Sequence, residues 1–172
     1  VLLNGYLESF NSDMTYKPRH PIPGEQIFTP DTWIDIDTYR VHVGLGWDIL
    51  PGNIYDLDAS IITFDKQINE LEFIYHKNMK SKDGNIIHQG DNRTGIGEGD
   101  DEVITVNLRN LDMNIASMAV IVNSFKGNSM IGLRSAFIRL FDNDKPIGCH
   151  VIVILPFLKK IIVIAIQKIN IK

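Results

Sequence analysis

Residues 91–108 read DNRTGIGEGDDEVITVNL, in which a loop rich in acids and glycines leads directly into a short alternating segment. In VITVNL (103–108), apolar and polar side chains alternate, as they do in a strand with one buried face. The loop before it, 91–102, carries five carboxylates with Arg93 as the one nearby cation. Carboxylates so close together repel one another unless a cation binds them, and calcium prefers carboxylate and backbone oxygens. The stretch therefore predicts a β-strand preceded by a calcium-binding loop.

The spacing of the loop excludes an EF-hand, the most familiar calcium loop of this length. With Asp91 as the first position, an EF-hand has oxygen ligands at the third and fifth positions and glycine at the sixth. Those positions hold Arg93, Gly95 and Ile96. The flanking segments also have strand patterns rather than helix patterns. A solvated acidic connection that binds no ion remains an open alternative.

Short strand patterns recur on both sides of this loop, and helical periodicity is weak throughout. The predicted strands are YRVHVGL (39–45), LDASIITF (57–64), LEFIYH (71–76), VITVNL (103–108), MAVIV (118–122) and SAFIRLFD (135–142). Turn-forming residues separate them, among them the Asp-Gly pair of SKDGN (81–85). Repeated short strands with turns between them predict an all-β fold, an antiparallel β-sandwich with metal-binding loops at one end.

Size, charge and cysteine content limit the classes of function. A chain of 172 residues is long enough for one domain with a sizeable core. The formal net charge of −4 argues against nucleic acid or an anionic membrane as a partner. The single cysteine, Cys149, excludes an internal disulfide framework and a cysteine-based zinc site. It favours a reducing compartment, and we expect a cytoplasmic location.

The domain is expected to begin near residue 38. Residues 1–37 are rich in proline and have no sustained period, which is typical of an extension or linker. Residues 38–172 would form the sandwich, with 149–172 as an atypical C-terminal tail. Because the chain begins with Val1 rather than methionine, we expect a fragment, a processed product or an incomplete gene model.

A second acidic element lies at the start of the second predicted strand, in YDLDAS (55–60). Side chains two apart in a strand leave the same face roughly 6–7 Å apart, so Asp56 and Asp58 can turn toward one ion. Asp48, just past the first predicted strand, is a third candidate. If these loops meet at one end of the sandwich, they can share two or more ions. Solvated carboxylates at an exposed strand end are the open alternative.

Five motifs occur in an order and spacing that resemble the TerD family of tellurite-resistance and stress-response proteins. They are GLGWD (44–48), YDLDAS (55–60), GDNRTG (90–95), GDDE (99–102) and AFIRL (136–140). The resemblance covers about residues 39–148. It implies a calcium-binding β-sandwich that takes part in stress response and has no established catalytic activity.

The resemblance also implies a set of metal-binding positions, which would hold two calcium ions. These positions are Asp48, Asp56, Asp58, Asp91, Asn92, Gly97, Gly99, Asp100, Asp101 and Glu102. Trp47 is interpreted as a packing residue, and Arg93 and Arg139 as partners of carboxylates or packing residues. His76 and His88 are interpreted as surface or core histidines rather than ligands. Glu98 departs from the family, which usually has Asp there.

The tail after Gly148 departs from the family more strongly and allows three interpretations. VIVIL (151–155) and IIVIAI (161–166) could pair as strands about a turn near Pro156, filling the place of the family's final hairpin. A membrane segment is less favoured, because Lys159 and Lys160 interrupt the apolar run. The tail could also be the product of a frameshift or an unspliced intron.

The function predicted from these features is a non-enzymatic, calcium-ordered interaction module in stress response or tellurite resistance. There is no G-x-S-x-G elbow and no H-E-x-x-H motif. A metal-dependent phosphoester hydrolase is one alternative, although no histidine or lysine is placed as its general base. A C2-like module that docks on membranes through calcium is another alternative.

Overall fold

Two antiparallel sheets make up the molecule in a computed structural model, which describes residues 36, 38–49, 55–96, 99–125, 133–142, 145–151 and 160–167. The strands are β1 (Arg40–Ile49), β2 (Leu57–Phe64), β3 (Glu70–Ile74), β4 (Ile86–His88), β5 (Glu102–Asn107), β6 (Ser117–Ser124), β7 (Leu133–Asp142), β8 (Lys145–Val151) and β9 (Lys160–Gln167). One 3-10 turn, Leu108–Asn110, follows β5. The predicted N-terminal extension (1–37) lies almost wholly outside the described residues.

The first sheet has the order β4-β5-β1-β7-β8 and the second has the order β3-β2-β6-β9. Every pairing is antiparallel. One apolar core lies between the sheets and contains buried residues of both. The predicted antiparallel β-sandwich is therefore confirmed.

Strand β1 shows how the period-two pattern builds this core. Val41, Val43 and Leu45 are fully buried, whereas His42 between them is only partly buried. Tyr39 belongs to the predicted strand YRVHVGL but is exposed, and the Arg109 guanidinium lies over its ring at 5.0 Å. Tyr39 precedes the first residue of β1, so the ladder does not fix its side chain against the core.

Strand β1 continues further than predicted, which changes the position of Asp48. The strand pairs with β7 as far as Ile49, and Asp48 lies opposite Ser135. Asp48 is thus part of the sheet and not of a loop beyond the first strand. A neighbouring strand extends β1 here, because hydrogen bonding to β7 overrides the local break signal of the sequence.

The C-terminal segments belong to different sheets. β8 pairs with β7 in the first sheet, and β9 pairs with β6 in the second. The hairpin interpretation paired VIVIL (151–155) with IIVIAI (161–166). The second of these segments lies in β9, whereas residues 152–155 of the first lie outside the described residues. Within the described ranges, the chain contains no helix of sufficient length and apolarity to cross a bilayer.

Candidate metal centre

Three carboxylates from two chain segments meet near the start of β2. Asp56 precedes β2, Asp58 is its second residue, and Asp91 opens the acidic loop after β4. One oxygen from each carboxylate lies within 4.8 Å of the other two. Asp58 is buried, Asp56 half-buried and Asp91 exposed, so the cluster opens toward solvent on one side. We call these three residues the Asp cluster.

The environment of Asp58 is unfavourable for its own negative charge. Burial raises the pKa of Asp58 from the ordinary 3.8 to about 6, and the neighbouring charge of Glu102 adds to this rise. The charges of Asp56 and Asp91 raise the pKa of Asp58 further, while His76 lowers it. A cation bound at the cluster would offset this repulsion. The raised pKa therefore reflects first the burial of Asp58 and then the neighbouring acids, whose charges His76 does not offset.

Glu102 lies behind the cluster and is fully buried, with one oxygen that has no hydrogen-bond partner among the described residues. Its Oε2 accepts a hydrogen bond from the Ala59 N–H at 2.7 Å, next to Asp58 in β2. The unpartnered atom is Oε1. Native proteins rarely leave a buried carboxylate oxygen without a donor or an ion. The orphaned atom and the all-oxygen character of the acids fit a hard divalent cation.

His88 is buried against the same carboxylate. Its Nδ1 accepts a hydrogen bond from the Gly90 N–H at 3.3 Å, which places the imidazole proton on Nε2. That Nε2 lies 3.5 Å from Glu102 Oε2, a long contact between two wholly buried side chains. His88 therefore faces Glu102 at the start of the acidic loop.

The two aspartates at the end of the acidic loop bind protein groups instead. Asp100 accepts two hydrogen bonds from Arg139, at 2.7 Å from Nε and 2.7 Å from Nη2. A Cβ at Gly44 would overlap this carboxylate, so glycine there lets the pair lie flat on β1. Asp101 accepts hydrogen bonds from the Trp47 N–H at 2.9 Å and from Asn92 Nδ2 at 3.0 Å. These contacts fasten the loop to the first sheet and confirm that Arg139 balances a carboxylate.

Asn92 shapes the first half of the loop. Its Oδ1 accepts hydrogen bonds from the Thr94 N–H, the Thr94 hydroxyl and the Gly95 N–H, at 3.0, 3.0 and 3.2 Å. Such side-chain-to-backbone bonds stabilise a tight turn. Gly95 then takes φ +57° directly over the Trp47 indole, where a Cβ would overlap the ring. The turn holds Asp91, just before it, at the Asp cluster.

Trp47 links the loop to the strand that carries the other two acids. Its ring is fully buried, as predicted for a packing residue, and Nε1 donates to the Tyr55 carbonyl at 3.2 Å. Tyr55 immediately precedes Asp56. A single indole therefore contacts both chain segments that supply the Asp cluster.

Comparison with known proteins identifies the family. Residues 35–149, about two thirds of the chain, match the profile of the TerD domain. The chain belongs to the TerD domain family. The resemblance inferred from the sequence motifs is thereby confirmed.

Relatives of this TerD domain include proteins named for resistance and stress. The chain is 40% identical over 114 residues to the tellurium resistance protein TerZ of Serratia marcescens, an alignment that covers 60% of this chain and 59% of that protein. It is 32% identical over 115 residues to general stress protein 16U of Bacillus subtilis, covering 61% of this chain and 60% of that protein. The matched region thus spans about 60% of the length of these relatives.

Solved structures share the fold. The telluride resistance protein (TerD) homologue SCO6318 of Streptomyces coelicolor superposes with a TM-score of 0.57 at 24% identity, covering 64% of this chain and 70% of that one. The protein of unknown function SAV2460 superposes with a TM-score of 0.63 at 22% identity, covering 71% of this chain and 76% of that one. At these identities the likeness shows the sandwich fold alone.

The residues predicted as metal ligands in this TerD domain fall into four groups in the structure. Those that meet are Asp56, Asp58 and Asp91, with Glu102 behind them. Those that hold the loop are Asn92, Asp100 and Asp101, and Gly99 takes φ +86° beside them. Asp48 lies on β1 opposite Ser135. Gly97 lies outside the described residues.

Two histidines at this site were not predicted as part of it. His76 Nδ1 lies 2.9 Å from Asp58 Oδ1, and His88 faces Glu102. The proximity of His76 to the site follows only from the pairing of β2 with β3. Ile61 lies opposite Ile74 in that antiparallel pair, so continuing the register by two residues brings residue 76 beside Ala59. Arg93 contacts Asp91, with Nε 3.1 Å from Oδ2, which confirms its predicted role as a partner of a carboxylate.

Proposed function

We propose that this TerD domain binds calcium at the Asp cluster and that the bound ion orders the acidic loop. The convergence of three carboxylates from two chain segments within 4.8 Å carries the proposal. The raised pKa of Asp58 and the orphaned Oε1 of Glu102 support it independently. In this proposal Asp56, Asp58 and Asp91 hold the ion, which would supply the positive charge that these acids lack.

Calcium suits the cluster better than magnesium or a softer metal. The cluster offers only carboxylate oxygens, and it opens to solvent at Asp91, so water can complete the six to eight oxygen ligands that calcium takes. Magnesium requires a more regular octahedron at shorter distances. Zinc prefers nitrogen and sulfur ligands, and Cys149 lies on β8 in the first sheet, next to β7.

We propose that one ion binds at the Asp cluster. The stoichiometry of the calcium titration tests whether a second ion also binds. A second ion in the loop would compete for Asp100 and Asp101. The oxygens of Asp100 already accept two hydrogen bonds from Arg139, and those of Asp101 accept bonds from Trp47 and Asn92. A second site would therefore have to displace contacts that fasten the loop.

The role proposed for the ion-ordered domain is a non-enzymatic one in stress response. Relatives that match the domain carry names that refer to tellurium resistance and general stress. The ion would fix the loop that joins β4 to β5 and present it to another component. The single cysteine favours a reducing compartment, so we propose that this takes place in the cytoplasm.

Calorimetric titration of the whole chain, first freed of metal with a chelator, tests the proposal. We expect calcium to bind with a dissociation constant on the order of 1 µM, within the range of protein calcium sensors. The double variant Asp56→Asn, Asp58→Asn should lose binding, since it keeps the shape of both side chains and removes their charge. The control Glu70→Gln removes an exposed charge on β3 and should bind normally. Folded chain that takes up no calcium would refute the proposal.

A further inference from the structure

His76 contacts Asp58 and packs against the aromatic rings of Tyr75 and Phe125. Its Nδ1 lies 2.9 Å from Asp58 Oδ1, and neither ring nitrogen has a hydrogen-bond partner of good geometry among the described residues. The side chain is 15% exposed. An imidazole at this distance whose N–H is not aligned with the oxygen is poised to complete a hydrogen bond by a small rotation of either group.

Aromatic neighbours hold the imidazole of His76 in place. The Tyr75 ring lies edge-on at 5.2 Å between centroids, and the Phe125 ring lies edge-on at 5.4 Å. The Phe125 N–H also donates to the Asp56 carbonyl at 3.0 Å. The backbone of one cluster residue therefore contacts the residue whose ring packs on His76, and His76 contacts the side chain of another.

The two oxygens of Asp58 face different partners. Oδ1 faces His76, whereas Oδ2 accepts a hydrogen bond from Asn123 Nδ2 at 3.3 Å. Carboxylates that bind metals are commonly oriented by such outer hydrogen bonds, and losing one typically lowers metal affinity 10–100-fold. The bond from Asn123 is long, so His76 is the closer of the two partners.

We infer that His76 is a positioning residue for the cation at the Asp cluster. Its imidazole donates the Nδ1 proton to Asp58 Oδ1 when the cation binds, and thereby fixes the orientation in which the carboxylate meets the ion. The imidazole takes no coordination position in this inference, since His76 is not part of the group of described residues whose ligand atoms all lie within 4.8 Å of one another, which is Asp56, Asp58 and Asp91. This inference rests on the proposed calcium binding.

A pair of substitutions separates the hydrogen bond from the packing. His76→Phe keeps an aromatic ring between Tyr75 and Phe125 but cannot donate a hydrogen bond. His76→Asn loses the ring but can donate through its amide. His42→Phe is a matched control, because His42 lies in the first sheet, stacked on Phe141 at 5.0 Å.

Calcium affinity is measured for each full-length variant by calorimetry, and thermal unfolding is measured in chelator. We expect His76→Phe to bind calcium about 10–100-fold more weakly, with metal-free unfolding close to that of the unaltered chain. His76→Asn should recover a large part of the affinity, and His42→Phe should bind normally. Equal calcium affinity in His76→Phe and the unaltered chain would overturn the inference while leaving the proposed function intact. Failure of the unaltered chain to bind calcium would remove both.

If His76→Phe proves unstable, the His76→Asn result decides the question alone. Recovered affinity in His76→Asn despite the lost ring supports a hydrogen-bonding role. A loss in His76→Asn that parallels its loss of metal-free stability would show that His76 acts only through packing, and would overturn the inference.

Discussion

Replacing Asp58 by asparagine should stabilise the metal-free protein while abolishing its calcium binding. Burial, followed by the charges of Glu102, Asp56 and Asp91, raises the pKa of Asp58 from 3.8 to about 6. At about 1.4 kcal/mol for each tenfold change in proton affinity, this rise corresponds to on the order of 3 kcal/mol of destabilisation once Asp58 is ionised. Asparagine removes the charge and keeps an oxygen toward His76.

The pH dependence has a definite sign. Because the folded-state pKa of Asp58 exceeds its unfolded value, the metal-free folded state retains a proton that the unfolded state has lost. Stability of the unaltered chain should therefore fall as the pH rises from about 4 to about 6 and then level off. The Asp58→Asn variant should lack this decline. Below about pH 4, Asp58 is protonated in both the folded and the unfolded chain, and the difference in stability between the unaltered chain and the variant should vanish.

Urea unfolding followed by circular dichroism, in chelator and in excess calcium, measures these effects. In chelator near neutral pH, Asp58→Asn should be more stable than the unaltered chain. In calcium, the unaltered chain should gain stability and the variant should not. The control Glu70→Gln should change stability by no more than about 0.5 kcal/mol, as exposed substitutions usually do. A variant that is less stable in chelator would refute the electrostatic account of the cluster.

Three further predictions concern the acidic loop, its contact with Arg139 and the effect of calcium on stability. Gly95→Ala should destabilise the fold more than Gly99→Ala in urea unfolding, because both have positive φ but only a Cβ at residue 95 would overlap Trp47. Arg139→Gln should lower the free energy of unfolding by on the order of 3 kcal/mol in the same assay, since it leaves the buried Asp100 carboxylate without its cation. The added change Asp100→Asn should restore part of this loss. Calcium at about 100 times its dissociation constant should raise the unfolding free energy of the unaltered chain by about 2.7 kcal/mol, and an unchanged melting temperature would contradict binding to the folded state.

The sandwich was predictable because short strand-forming segments recur between turns, and some of them, such as β5, alternate between buried and partly buried residues. LDASIITF (57–64) coincides with β2, and the buried face of β1 follows the predicted alternation. β4 was not predicted, since its three residues carry too little periodicity and are held by pairing with β5. The sheet assignment of β8 and β9 was equally out of reach, because strand propensity does not show which neighbouring strand a segment pairs with.

The site was predictable only in part, because composition does not show what each carboxylate contacts. Asp91 and Asp100 are both acids of one loop, yet Asp91 lies beside the acids of β2 and Asp100 lies against Arg139. Gly95 and Gly99, which lie between these two acids in the sequence, both have a left-handed backbone, which sequence composition does not show. His76 enters the site through the register of β3 against β2, which the sequence does not specify.

The central claim is that the acids at 56, 58 and 91 form one cation site, and a calcium titration followed by backbone amide NMR on the whole chain tests it most directly. We expect calcium to shift the amide resonances of Asp56 to Ala59 and of Asp91 to Gly95 together, with one affinity. Amides of β3 away from the site should not move. Shifts confined to the acidic loop, with the 56–59 amides unchanged, would contradict the account, because the ion would then bind without the acids of β2.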